Sequence, residues 1–170
     1  MKLFKKVSAM VVSLLMAFAM VVPVAAANPT ITVKNIATDE NVTLSYLKVV
    51  KQDKTTKTGW AFVDETVAQI FRDEYGKTDD QAILASLANS AAHSKALARL
   101  GNLSGFTGFT NNGKRKTEVD GAGLYVVKVV DNSNKYTYNV MAAPINFEYA
   151  NNPATLKNAE LNVKRSETKL

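Results

Sequence analysis

The run Leu-Tyr-Val-Val-Lys-Val-Val at 124–130 constrains the fold more than any other stretch of this 170-residue sequence. Side chains alternate across a strand, so a strand with one wet face shows an apolar residue at every second position. Here both parities are apolar, interrupted only by Lys128. Such a strand belongs in the middle of a sheet with a packing layer on each face. The glycine turn Asp120-Gly-Ala-Gly123 launches it.

The flanking sequence supplies material for those layers. Ile31-Thr-Val-Lys-Asn-Ile36 alternates as a half-buried strand does, and residues 42–50 form a second strand after the polar turn Thr38-Asp-Glu-Asn41. A polar loop at 51–59 precedes Trp60 and Phe62, which are expected to return the chain to the core beneath a helical insertion. From Asp64 the apolar period changes from two to about 3.6. Asp64 caps a helix with Val67, Ile70, Phe71 and Tyr75 on one side and Gly76 as its stop. Thr78 and Gln81 have the spacing of a capping box for a second helix. Its apolar face runs through Ile83, Leu84, Leu87, Ala88 and Ala91, is extended by Leu97 and Leu100, and ends at Gly101; Asn89-Ser90 is the place for a break.

Residues 102–113 read as a loop, followed by a short β segment at 116–119 between the turns Asn112-Gly113 and Asp120-Gly121. Further strands are expected at 136–149 and 155–164, with Pro144 marking an edge or bulge. The expected architecture is mainly β: a β-sandwich with a two-helix insertion, α+β overall. It forms one domain over residues 28–165, with 166–170 as a linker to a further domain.

Residues 1–27 read as an export signal. Lys2, Lys5 and Lys6 precede an apolar run from Val7 to Val22, and Val24-Ala-Ala-Ala27 provides a cleavage site after Pro23. No stable membrane span is expected after cleavage, since the apolar run leaves with the signal. Three of the 21 basic residues also leave, so 18 remain against 15 acidic ones. That mild surplus is spread along the chain and predicts no nucleic-acid partner.

The chain has no cysteine, which excludes disulfides, thiolate nucleophiles and cysteine-held metal clusters. Its single histidine, His93, lies in an alanine-rich helical stretch beside Ser90 and Ser94, without a nucleophile-elbow sequence. A triad or metal site needs more partners than that, so no catalytic, metal or cofactor site is expected. Lys114-Arg-Lys116 reads as a solvated loop or, alternatively, as a contact for an anionic surface. Asn41-Val-Thr43 and Asn102-Leu-Ser104 match the glycosylation sequon. Lys48 and Lys128 sit within apolar strands, where a lysine either snorkels to water or is neutralised by burial and joined to an asparagine or aspartate.

Several pieces together resemble the N-terminal domain of Gram-positive sortase-assembled shaft pilins of the SpaA-like type. They are residues 42–50 around Tyr46, Thr58-Gly-Trp60 entering the insertion, "GLYVVKVV" at 123–130, "TYNVMAAPINF" at 137–147 and "AELNVKRSE" at 159–167. The resemblance implies an immunoglobulin-like sandwich and a structural, non-enzymatic subunit of a cell-surface pilus or adhesin stalk. Its partners would be other pilin subunits, joined by sortase. It also implies that Lys164 takes the place of the lysine that sortase links to the next subunit. The tyrosine and proline that usually precede this lysine are Asn162 and Val163 here, and the asparagine that usually follows is Arg165. With that asparagine replaced, no internal isopeptide is expected. Sortase substrates carry an L-P-x-T-G signal, an apolar span and a basic tail, so the sequence is expected to be a piece of a longer pilin. The alternative function is an exported module that recognises a host or wall ligand through its helices and loops.

Overall fold

The computed structural model of the protein describes residues 28–90, 92–147 and 157–168; the expected export signal, Ala91 and positions 148–149 and 155–156 of two expected strands lie outside them. Ten strands are present among the described residues: β1 (Thr30–Lys34), β2 (Val42–Gln52), β3 (Trp60–Phe62), β4 (Thr107–Gly108), β5 (Lys116–Glu118), β6 (Gly123–Asp131), β7 (Tyr136–Tyr138), β8 (Met141–Ile145), β9 (Ala159–Asn162) and β10 (Arg165–Glu167). Three helices, α1 (Glu65–Tyr75), α2 (Asp80–Ala88) and α3 (Ser94–Gly101), lie between β3 and β4.

The main sheet has the order β3-β2-β6-β8, with β4 also paired to β2; a second sheet has the order β5-β1-β9, and β10 pairs with β7. The apolar strand is therefore central, as its sequence requires. Leu124 and Val126 enter a core shared with Trp60, Phe62 and all three helices. Tyr125, Val127 and Val129 enter a second core shared with Ile31, Val33, Ala159 and Leu161 of the other sheet. The mainly β fold thus has three layers. The second cover of β6 is the helical layer, so the apolar strand residues divide between a sheet–sheet core and a sheet–helix core.

The two faces meet at a defect in β2. Its register against β6 shifts between Lys48 and Val50, and both Val49 and Val50 are fully buried on the helical side. Just past this shift stands Gly123, opposite Lys51, with φ 156°. A Cβ there would lie 2.2 Å from the Val50 carbonyl oxygen. Glycine is what allows β6 to start so close to the bulge.

The helix ends follow local chemistry. Asp64 accepts a hydrogen bond from the Val67 N–H, and Gly76 closes α1 in the left-handed conformation. For α2 the cap is Asp79, which accepts from the N–H groups of Gln81 and Ala82. This corrects the Thr78–Gln81 capping box: Gln81 instead reaches back to β3, accepting from Thr58 N at 2.9 Å and donating to Trp60 O at 3.0 Å. At the expected break, Asn89 Nδ2 and Ser90 Oγ both donate to carbonyls four residues earlier, ending α2. The insertion therefore has three helices rather than two. His93 is outside the helical run and caps α3, its Nδ1 accepting from Lys95 N at 3.3 Å.

Two further segments differ from the sequence expectation. The strand expected over 136–149 breaks at Asn139-Val140 into β7 and β8, with Pro144 on the terminal strand β8. Ser166 and Glu167, expected in a linker, extend the fold as β10, with Arg165, Ser166 and Glu167 opposite Tyr138, Thr137 and Tyr136.

Past β3 and β4, the open edge of β2 is closed by one side chain together with one backbone N–H. Asn112 Oδ1 accepts from Leu44 N at 2.9 Å, its Nδ2 donates to Val42 O at 2.8 Å, and Phe109 N donates to Leu44 O. The adjoining basic run is not uniformly solvated. Arg115 is buried, has φ 56°, and donates to the carbonyls of Asn112, Ala37 and Glu40. Carbonyl acceptors in the turn draw its guanidinium inward, while Lys114 and Lys116 remain exposed.

Candidate attachment site

Lys164 lies in the two-residue connection between β9 and β10 and is exposed. Alternation along β9 buries Ala159 and Leu161 against the second core, with Val163 packed against its margin. The next residue therefore faces water. Its backbone is held on both sides: Val163 N donates to Lys34 O at 3.4 Å, and Asn139 N donates to Lys164 O at 2.9 Å. The side chain borders a groove of about 410 Å³ between α3 and the β7–β8 connection, lined by Ser94, Leu97, Ala98, Val140, Met141 and Asn162. A primary amine on a fixed backbone beside a groove is chemically an accessible nucleophile once deprotonated.

The residue after it is fastened to the opposite loop. Arg165 Nη1 donates to Glu40 Oε1 at 2.7 Å and to Tyr138 OH at 3.3 Å, and its guanidinium lies 3.9 Å from the centre of the Tyr136 ring. Tyr138 donates its own hydroxyl proton to Glu40 Oε2. This hydroxyl, with Arg165 second, holds the Glu40 carboxyl below the usual carboxylate range despite some desolvation. Thr168 N continues the pairing to Lys135 O at 2.9 Å. No local pattern marks this cluster, because Glu40 and Arg165 are separated by nearly the whole domain.

The two strand lysines reach no such site. Lys128 Nζ donates to Gly101 O at 3.1 Å, the end of α3, and lies 4.3 Å from the centre of the Phe106 ring. It is partly exposed, as the snorkelling reading requires. Lys48 is half-buried; its Nζ donates to Asp120 O and lies 5.5 Å from the Tyr125 ring centre. Burial pushes the Lys48 amine below its ordinary pKa, and the Asp120 charge partly offsets this. Among the described residues no group of three or more histidines, acids or cysteines could hold a metal ion. None of their helices is long and apolar enough to cross a membrane.

No family model matches the chain, and no curated protein matches it at the level of sequence. Among solved structures it is similar to the T6 backbone pilin of serotype M6 Streptococcus pyogenes, whose structure is described as modular, with three domains decorated by variable loops and extensions. The identity is 14% and the TM-score 0.45, and the match covers 84% of this chain and 29% of the pilin. The chain thus spans less than a third of the length of the structure it matches.

Proposed function

We propose that the protein is an exported, non-enzymatic structural subunit of a cell-surface pilus or stalk, joined covalently to its neighbours through Lys164 by a sortase. The observation that carries this reading is the course of the chain. It enters the sandwich at Pro29, whose carbonyl accepts from Val119 N beside the Asp120 turn. It leaves at the opposite end, where Thr168 meets Lys135 and Lys164 is exposed. An exposed amine on a backbone held at both neighbouring positions, where the last strands leave the sandwich, is suited to linkage.

In the joining step the uncharged Nζ of Lys164 attacks the carbonyl of a thioester that sortase has formed on a neighbouring subunit. The amide C–N bond forms, the C–S bond breaks, and the thiolate takes up a proton released by the amine. The test is Lys164→Ala, with Lys164→Arg as the charge-preserving control, in the full-length gene in its source cells. Both variants are expected to lose covalent polymer ladders on denaturing gels; persistent ladders would assign the bond to another lysine. A ligand-binding role for the insertion is the second reading. A hollow of about 630 Å³ lined by Glu65, Gln69 and Ile70 of α1, with Arg99, Asn102 and Leu103, favours it. Wild-type cells without ladders would support that reading.

A further inference from the structure

We infer that Asn112-Gly113 is a spontaneous deamidation site that folding switches off, so that the modification marks chains in which this turn has come away from β2. It is the only Asn-Gly pair in the sequence. Glycine has no Cβ to crowd its nitrogen, so Gly113 N can reach the Asn112 Cγ more easily than any other following residue would allow. In that step the N–Cγ bond forms and the Cγ–Nδ2 bond breaks. The Gly113 N–H proton passes through water to the departing Nδ2, and ammonia leaves. A second water opens the resulting succinimide at either carbonyl, giving aspartate or isoaspartate. Asn112 is half-buried and Gly113 exposed, so water reaches the turn.

Both reacting groups are fastened in the folded chain. The carboxamide is turned to β2, accepting from Leu44 N at 2.9 Å and donating to Val42 O at 2.8 Å. Ring closure requires it to rotate and give up both bonds. Arg115 N and Nη1 each donate to the Asn112 carbonyl oxygen at 3.1 Å, which fixes the peptide that supplies Gly113 N. The segment leading to the turn is anchored as well. Thr107 and Gly108 pair with Tyr46 and Ser45, Phe109 N donates to Leu44 O, and the buried Phe109 ring meets Tyr46 edge-on at 6.1 Å. Release of the carboxamide is therefore a local opening of this segment. The product cannot restore what was lost. Aspartate sets a second oxygen against Val42 O in place of the donor, and isoaspartate adds a carbon to the main chain of the turn. Either leaves that carbonyl without the Asn112 bond. The modification is independent of the assembly role proposed above.

The test follows conversion at Asn112 by peptide mapping and mass spectrometry, on residues 28–170 held at mildly alkaline pH in buffer or in urea. Two hydrogen bonds of ordinary strength lead us to expect a rate about tenfold to a hundredfold lower in buffer than in urea. Gly113→Ala, whose added Cβ would meet only the Asn111 side chain, should slow the reaction in both. Phe109→Ala removes an anchor of the segment but leaves the Asn-Gly pair untouched. It should raise the rate several-fold in buffer and leave the urea rate unchanged. Should that variant fail to fold, the comparison of buffer with urea on the unmodified chain decides alone. Asn112→Asp, identical to one product, should unfold at a lower denaturant concentration than the unmodified chain. Equal rates in buffer and urea, or an unchanged midpoint for Asn112→Asp, would overturn the inference.

Discussion

The indole of Trp60 meets the ring of Phe147 edge-on, with centroids 5.0 Å apart and planes at 83°. Trp60 is fully buried in the core that α1, α2 and α3 cover, and next to it Phe62 stacks on Phe71 at 4.9 Å. The short strand β3 thus holds the helical layer to the main sheet. Trp60→Ala is expected to destabilise the domain by roughly 3–5 kcal/mol, as truncation of a core aromatic does. Denaturant unfolding of residues 28–170 measures it; a loss below about 1 kcal/mol would mean the indole bears little of the packing.

Gly123→Ala tests the contact between the start of β6 and the β2 bulge. The new methyl would meet the Val50 carbonyl oxygen and the Lys48 side chain at once. Backbone must move to admit it, so a loss of roughly 1–3 kcal/mol or more is expected. Gly113→Ala is the control, because its added Cβ would meet only the Asn111 side chain, at 3.8 Å. Equal unfolding midpoints for the two variants would remove the close approach as the reason for glycine at 123.

Gln81 and Thr78 should separate cleanly. Gln81→Ala leaves the buried Thr58 N–H without its acceptor, while Trp60 O keeps Thr56 Oγ1 as a donor, and a cost of about 1–3 kcal/mol is expected for the unpaired N–H. Thr78→Ala removes no cap, since Asp79 fills that role. Its unfolding midpoint should match that of the unmodified chain. A larger loss at Thr78 than at Gln81 would restore the capping box.

The Glu40–Tyr138–Arg165 cluster gives a signed pH dependence. The Glu40 carboxyl titrates below its ordinary value when folded, so its contribution is fully present above the unfolded-state pKa of about 4.3 and is lost as pH falls through the folded value. Glu40→Gln should therefore be less stable than the unmodified chain at about pH 7, with the gap shrinking as pH falls below about 4.3 and through the folded value. A gap that stays constant over that range would show that the carboxylate charge contributes nothing. Exposure of the cluster to solvent keeps the effect small.

An intact mass measurement on residues 28–170 should give the sequence mass, with no loss of ammonia or water. Lys128 meets the Gly101 carbonyl and the Phe106 ring, and neither can form an isopeptide with its amine. A mass lower by one ammonia or one water would place a covalent link elsewhere in the chain.

Much of this architecture is written locally. The α1 boundaries follow from Asp64 and Gly76, and the central position of β6 follows from its two apolar parities. The helix break at Asn89-Ser90 is legible for the same reason, since both side chains bond within one turn. Exposure of Lys164 follows from alternation along β9. What escapes a reading of the sequence acts over distance. Gln81 bonds residues more than twenty positions away, Arg115 turns inward to the loop at Ala37–Glu40, and Arg165 finds Glu40 across the sandwich. A polar side chain looks the same in sequence whether water or a distant carbonyl receives it. The bulge in β2 is equally silent, because Val49 and Val50 would fit an unbroken strand in which only one of them faced the helices.

The carboxamide of Asn112 has a further consequence outside the single molecule. By offering one acceptor and one donor to Leu44 and Val42, it imitates the backbone of a neighbouring strand just past the point where β4 ends. An unoccupied strand edge invites pairing with the edge of another copy. Where many copies of the chain fold side by side, that invitation would seed clumps. One side chain at a turn withdraws it, leaving each newly folded copy free to meet its neighbours by other surfaces.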